Sequence, residues 1–254
     1  MILEVRDLHV EVSGKRVLNG VSLSVGYGET IFLLGPNGSG KTSLIQAILG
    51  NPSYRIVSGR IFFRGTDITG LEPEDRVKLG IAASFQMPPK IRGLKAGYLV
   101  EEVASRFGVS DEYVEKLVSL LRLEKFMDRE LYVGFSGGEV KRFELLLTLL
   151  QNPRLVLLDE PDSGVDVENL AIMGEALNRF LQGDGQLVST RRAVLIITHV
   201  GAIAKYLKPS RAYVMMNGEI FCYGKGEDVV SQILESGFEK CKACFEKARR
   251  RVWF

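Results

Sequence analysis

The chain has 254 residues, 46% hydrophobic and 25% charged, with 33 Lys and Arg against 31 Asp and Glu for a formal charge of +2. That length and balance supply a packed core and exclude a peptide ligand, a disulfide-stapled module and a strongly basic nucleic-acid binder, so no nucleic-acid partner is expected. Three cysteines (Cys222, Cys241 and Cys244) cannot build a disulfide framework, which favours a reducing, cytoplasmic setting.

The opening stretch MILEVRDLHV alternates apolar and charged residues and lacks the apolar core of a signal peptide. No later run approaches the roughly 18 apolar residues of a membrane span, so no direct membrane insertion is expected. Ile2 to Leu8, Val17 to Val25 and Glu29 to Leu34 read as strands from alternation and β-branched content. Lys41 to Leu49 is helical, stopped by Gly50-Asn51-Pro52. Gly59 to Gly65 and Ile81 to Phe85 are further strands, with a short helix from Glu72 to Leu79 between them. After Met87-Pro88-Pro89 the pattern turns helical, as in Tyr113, Val114, Leu117, Leu120 and Leu121. Strands return at Leu155 to Leu158 and Ala193 to Thr198, separated by a helix from Asp166 to Leu181, an alternation that implies parallel strands with crossover helices. Arg211 to Met216 and Glu219 to Tyr223 flank Asn217-Gly218, a strong hairpin signal, and Phe238 to Arg250 reads as a basic helix.

The chemistry is concentrated in a few segments. Gly35-Pro36-Asn37-Gly38-Ser39-Gly40-Lys41-Thr42, followed by Ser43, fits the phosphate loop G-x-x-x-x-G-K-[ST] and stands between an apolar strand and a helix. Glycines let successive backbone N–H groups face an anion, and the helix N-terminus adds partial positive charge. Lys41 is placed to reach the β- and γ-phosphates of ATP and Thr42 to hold Mg²⁺. Asp159 and Glu160 end an apolar strand where open α/β sheets bind ligands; Asp159 suits the Mg²⁺ role and Glu160 that of general base. Ser136, Gly137 and Gly138 open a helix and form a second anion nest, or else Ser136 is a plain N-cap. One nucleotide has one set of phosphates, so a second nest points to a nucleotide held by another subunit.

The order of phosphate loop, Gln86, FSGGE, LLDE, Ser163-Gly164-Val165-Asp166 and Thr198-His199 resembles the nucleotide-binding subunits of the ABC ATPase superfamily over almost the whole chain. The resemblance implies an α/β fold of the ABC nucleotide-binding type: a RecA-like core, an antiparallel β portion near the N-terminus and an inserted helical subdomain. The corresponding boundaries are 1–86 for the first part of the core, 87–152 for the helical subdomain and 153–254 for the second part of the core with the basic tail. It implies that Gln86 senses Mg²⁺ and water, that Ser136, Gly137 and Gly138 close on the ATP of a second ATPase subunit, that Asp166 is the D-loop residue and that His199 contacts the γ-phosphate. VGFSGGEVKR, DEPDSGVDVENL and KPSRAYVMMNGEI, with Asp162 in particular, resemble the SufC-type ATPases of iron-sulfur cluster assembly, which implies SufB/SufD-like scaffold partners. The alternative is the ATPase subunit of a membrane transporter.

Departures from the family pattern carry expectations of their own. Val12 stands where an adenine-stacking aromatic is common, so base selectivity is expected to be modest. Lys141 follows the signature closely enough to pair with Glu160. The apolar stretch Met87, Pro88, Pro89, Ile91, Leu94, Tyr98 and Leu99 is expected to choose the partner, with Ile91 and Leu94 its leading exposed members. Cys241 and Cys244 read as two ordinary thiols on a helix face and Arg249-Arg250-Arg251 as a solvated helix end.

Overall fold

In the computed structural model, residues 1–84, 88–183, 192–199 and 201–238 are described. Gln86, Met87, the cysteine pair Cys241 and Cys244, nearly all of the expected tail helix and Arg249-Arg250-Arg251 lie outside them.

An antiparallel sheet of four strands runs in the order β2 (Lys15–Val25), β1 (Leu3–Val12), β4 (Arg55–Phe63) and β5 (Thr66–Asp67). A second sheet holds β10 (Glu219–Lys225), β9 (Arg211–Met216), β3 (Thr30–Leu34), β8 (Ala193–Thr198), β7 (Leu155–Asp159) and β6 (Ile81–Ala83) in that order. All pairings in it are parallel except the β9–β10 hairpin. Parallel strands need crossovers and covered faces. The central strands are therefore apolar on both sides: Phe32, Leu34, Val156, Leu158, Val194 and Ile196 face one core, and Ile31, Leu33, Leu155, Leu157, Leu195 and Ile197 the other.

The first core is closed by α3 (Ala96–Arg106), α4 (Asp111–Leu120), α5 (Gly137–Leu150), α6 (Val167–Gln182) and α7 (Gly226–Ser236). The second is closed by α1 (Lys41–Leu49) and the antiparallel sheet, beside the short α2 (Pro73–Leu79). Between 88 and 152 the described residues hold helices, turns and one isolated bridge, Lys95 to Glu130. The strand expected at 59–65 begins earlier, at Arg55, because Arg55, Ile56 and Ser58 pair with Glu11, Val10 and His9 of β1. The helix α7 starts directly from β10, whose last residue Lys225 is its N-cap, so no turn separates the two in the sequence.

Local chemistry explains the joints. Asn217 and Gly218 both take positive φ, 50° and 77°, the conformation of a two-residue type I′ hairpin. Arg76 on α2 is 2% exposed and donates to Ala47 O and Ile48 O at the end of α1 and to Thr69 O and Leu71 O. Its guanidinium thus joins the Gly50 N–H at Ala47 O, satisfies Ile48 O at the end of α1 and ties the phosphate-loop helix to the strand β6 that follows α2.

Candidate functional site

The strands β3, β8 and β7 are in register, with Leu34 beside Thr198 and Asp159 beside Ile197, so their C-terminal ends emerge along one edge. Three segments from distant parts of the chain meet there: the loop at 35–40, Asp159-Glu160 and Thr198-His199. This is the edge at which open parallel sheets bind ligands.

The loop wraps a cavity of about 580 Å³ whose walls include Asn37, Gly38, Ser39, Lys41, Thr42, Ser43 and Glu160. Gly40 caps α1 with φ 103°, a conformation closed to side-chain-bearing residues. A Cβ on Gly35 would lie 2.2 Å from Met215 O, so the loop can pass β9 only as glycine. Lys41 is 5% exposed, and its Nζ donates to Gly35 O at 2.8 Å and Pro36 O at 2.9 Å. Burial pulls its ammonium below the usual lysine range, opposed by the charges of Glu160 and Asp159.

Asp159 is buried, and desolvation raises its carboxyl above the ordinary range against a hydrogen bond from Thr42. Its Oδ1 has no hydrogen-bond partner. A buried carboxylate oxygen without a partner, next to a hydroxyl, suits a hard divalent cation. Among the described residues no group of three or more His, Cys, Asp or Glu could hold a metal by itself. The fit is therefore to an ion such as Mg²⁺, which takes most of its ligands from phosphates and water.

Glu160 follows β7 with φ 49°, a left-handed conformation costly for a side-chain-bearing residue, and is held by its N–H to Ile197 O at 2.8 Å. The turn aims its carboxylate into the cavity rather than along the strand. His199 Nδ1 lies 3.4 Å from Glu160 Oε1, within charge range. Beneath them Thr198 donates its hydroxyl to Asp162 Oδ2 at 2.8 Å and accepts from Gly201 N at 2.9 Å, which fixes the strand end carrying His199. Asp162, noted in the sequence only as a subfamily mark, has that positional use.

Lys141 on α5 makes no direct ion pair with Glu160 and instead feels the charge of several carboxylates. Burial lowers its affinity for a proton, while Asp159 attracts it most, followed by Glu144, Glu160 and Asp162. Glu144 is itself buried and accepts from the Tyr132 hydroxyl.

Ser136, Gly137, Gly138 and Asp166 are not in this cavity. Ser136 and Glu139 form a reciprocal capping box on α5, with Glu139 N to Ser136 Oγ at 3.3 Å and Ser136 N to Glu139 Oε2 at 2.7 Å. The N-cap reading of Ser136 is thus realised. Asp166 caps α6 by accepting from Asn169 N at 2.9 Å. A Cβ on Gly138 would lie 2.5 Å from Asn169 Nδ2, so the glycine permits α5 and α6 to approach. Ser136 and Asp166 line a separate cavity with Arg122 and Lys125.

One sequence expectation is corrected, and a second is refined. Leu94 is partly buried and packs on the core, so among the described residues of that segment it is Pro89, Ile91, 40% exposed, and Tyr98, 57% exposed, that stand out. Val12 ends β1 and takes no part in the cavity wall, which is formed instead by Arg16, Val17, Asn217 and Gly218. Asn217-Gly218 was legible as a hairpin turn, but nothing local marked any of the four as cavity wall. The hairpin turn reaches the loop through Gly218 N to Ser39 O at 2.9 Å, a contact across 179 positions of sequence (218 − 39).

A glycine-rich phosphate loop, an acidic strand end and a histidine converging on one sheet edge define a nucleotide-binding ATPase, and the chain belongs to the ABC transporter ATP-binding family, whose sequence model it matches over residues 18–163. It is 35% identical over 249 residues to the probable ATP-dependent transporter SufC of Escherichia coli strain K12, covering 93% of this chain and 97% of the relative. It is 37% identical over 231 residues to the probable ATP-dependent transporter ycf16 of Cyanidium caldarium, covering 86% and 88%. A nucleotide-free ATP-binding cassette from an ABC transporter superposes with a TM-score of 0.76 at 27% identity, covering 92% and 95%. Within the family the chain is a SufC-type ABC ATPase that binds nucleotide and hydrolyses ATP. No helix among the described residues is long and apolar enough to cross a membrane.

Proposed function

We propose that the chain hydrolyses Mg-ATP between two ATPase subunits and uses the closure to reshape a SufB/SufD-like scaffold on which iron-sulfur clusters are built. The observation that carries the catalytic part is the convergence of Lys41, Thr42 and Glu160 on one cavity, with Asp159 beneath it and His199 beside Glu160. The loop amides and Lys41 orient the phosphates. Thr42, Asp159 and Gln86 would hold Mg²⁺, which supplies positive charge to the phosphate oxygens. Glu160 takes the proton of the attacking water, and His199 hydrogen-bonds the γ-phosphate. Ser136, Gly137, Gly138 and Asp166 serve the nucleotide of the second subunit, where backbone N–H groups at the start of α5 meet its phosphates. The working division is the one expected from sequence: core to 86, helical subdomain over 87–152, core again from 153.

The mechanical part rests on how the helical segment is tied. Ile91 N donates to Leu131 O, Leu131 N to Leu94 O, Ala96 N to Arg129 O and Gly97 N to Met127 O, at 2.8–3.1 Å. These bonds staple the stretch after Gln86 to the one that enters the signature, so movement at either is shared by the other. Ile91 and Tyr98 offer apolar surface on that stapled unit. Ile91→Asp combined with Tyr98→Ala is expected to abolish capture of a soluble scaffold protein in a pull-down while ATP binding persists. Retained scaffold binding counts against this surface, and recovery of integral membrane proteins alone supports the transporter reading instead.

Lys141 restrains the free subunit in this scheme. Its ammonium competes for the carboxylates that Mg²⁺ and water must use, so Lys141→Ala is expected to raise steady-state phosphate release by the isolated chain. Unchanged or lower release removes the restraint from the account.

A further inference from the structure

We infer that Arg16 stacks its guanidinium on the nucleobase and supplies the binding surface that an aromatic side chain would otherwise give. The inference rests on the nucleotide reading of the cavity and adds to it the residue that holds the base. With the triphosphate taken by the loop amides and Lys41, the nucleoside is left the part of the cavity walled by Arg16, Val17, Asn217 and Gly218. Among the described residues, none that lines the cavity is aromatic. Val17 offers a small apolar contact and Gly218 only backbone, so the planar group with the largest face is the guanidinium.

The side chain is held in place by its own sheet. Arg16 sits across from Glu11 in the β1–β2 ladder, and Glu11 sits across from Arg55 in the β1–β4 ladder, so the three form one cross-strand row. Glu11 accepts from Arg16 Nη2 at 3.4 Å and from Arg55 Nη2 at 2.5 Å. The shared carboxylate, kept ionised by Arg55 first and Arg16 second, tethers the Arg16 head at the mouth of the cavity. The Arg16 side chain keeps 45% of its surface exposed, which leaves a face open to a ligand. A guanidinium is planar, delocalised and weakly hydrated, and it is attracted to the π-face of any ring. Such a contact holds a base without reading its edge, so adenine and guanine are bound alike.

The rival role for an arginine at this mouth is to attract phosphate charge at a distance, and the experiment separates the two. Calorimetric affinities of the full chain are measured for Mg-ATP, Mg-GTP and inorganic tripolyphosphate with Mg²⁺. Arg16→Ala is expected to weaken ATP and GTP by the same factor, about threefold to thirtyfold, and to leave tripolyphosphate unchanged. Arg16→Tyr, which restores a flat face without charge, is expected to recover nucleotide binding. Arg16 is exposed and outside the core, so these variants fold as the parent does. An equal loss for tripolyphosphate overturns the stacking role, as does undiminished ATP affinity in Arg16→Ala while Lys41→Ala binds no nucleotide. Failure of the parent chain to bind ATP at all overturns the cavity assignment and this inference together.

Discussion

Glu160→Gln is expected to bind ATP as the parent does and to lose turnover by a factor of about 100 or more, the range over which a positioned general base acts. The substitution keeps the shape, the left-handed turn at φ 49° and the N–H bond to Ile197 O, so the backbone that aims the side chain is unchanged. What disappears is the basic carboxylate that accepts a proton from water. An amide there also removes the negative charge that draws His199 at 3.4 Å, which frees the imidazole without adding a base. With hydrolysis stopped and binding intact, the nucleotide-bound two-subunit species should accumulate. Single-turnover phosphate release measures the first effect and light scattering with ATP the second. Parental turnover in this variant would place the base elsewhere.

Lys41→Ala should lower ATP affinity by at least about 100-fold, because it deletes a cation whose charge-assisted contacts to phosphate contribute about 1.5–3 kcal/mol each. The loss is at the site of binding and not of chemistry, so occupancy recovers only when the ATP concentration is raised in proportion to the lost affinity. Lys41 also donates to Gly35 O and Pro36 O, and those carbonyls lose a partner in the variant. Solvent reaches the open cavity and replaces it, so the melting temperature without nucleotide should stay close to the parent's while the stabilisation by ATP disappears. Equal stabilisation of both proteins by ATP would show that the phosphate site is elsewhere.

Asp159 contrasts with Glu160 although the two are adjacent. Asp159 is the last residue of β7, buried and with a raised proton affinity, whereas Glu160 has already turned into the cavity. The first suits a cation that neutralises it and the second a proton transfer near solvent. One peptide unit with an unusual φ separates the two environments.

The amino-acid sequence by itself determined what depends on neighbours along the chain. Alternating and all-apolar runs specified the strands, since one or two buried faces leave a period of two or none. Gly35 to Thr42 specified an anion nest, because glycines and a helix start create it locally. Asn217-Gly218 specified a tight hairpin, because both residues tolerate positive φ. The order of short motifs was enough for the family. Tertiary structure alone decided which of these pieces meet. The field of four carboxylates around Lys141, the staple between 91–97 and 127–131 and the cavity wall at Arg16 depend on side-chain direction and on strand order. Leu94 shows the limit plainly: its type and spacing matched an exposed apolar contact, yet it packs on the core. Local pattern records that a residue is apolar, and only the packed elements around it determine whether its surface is already covered.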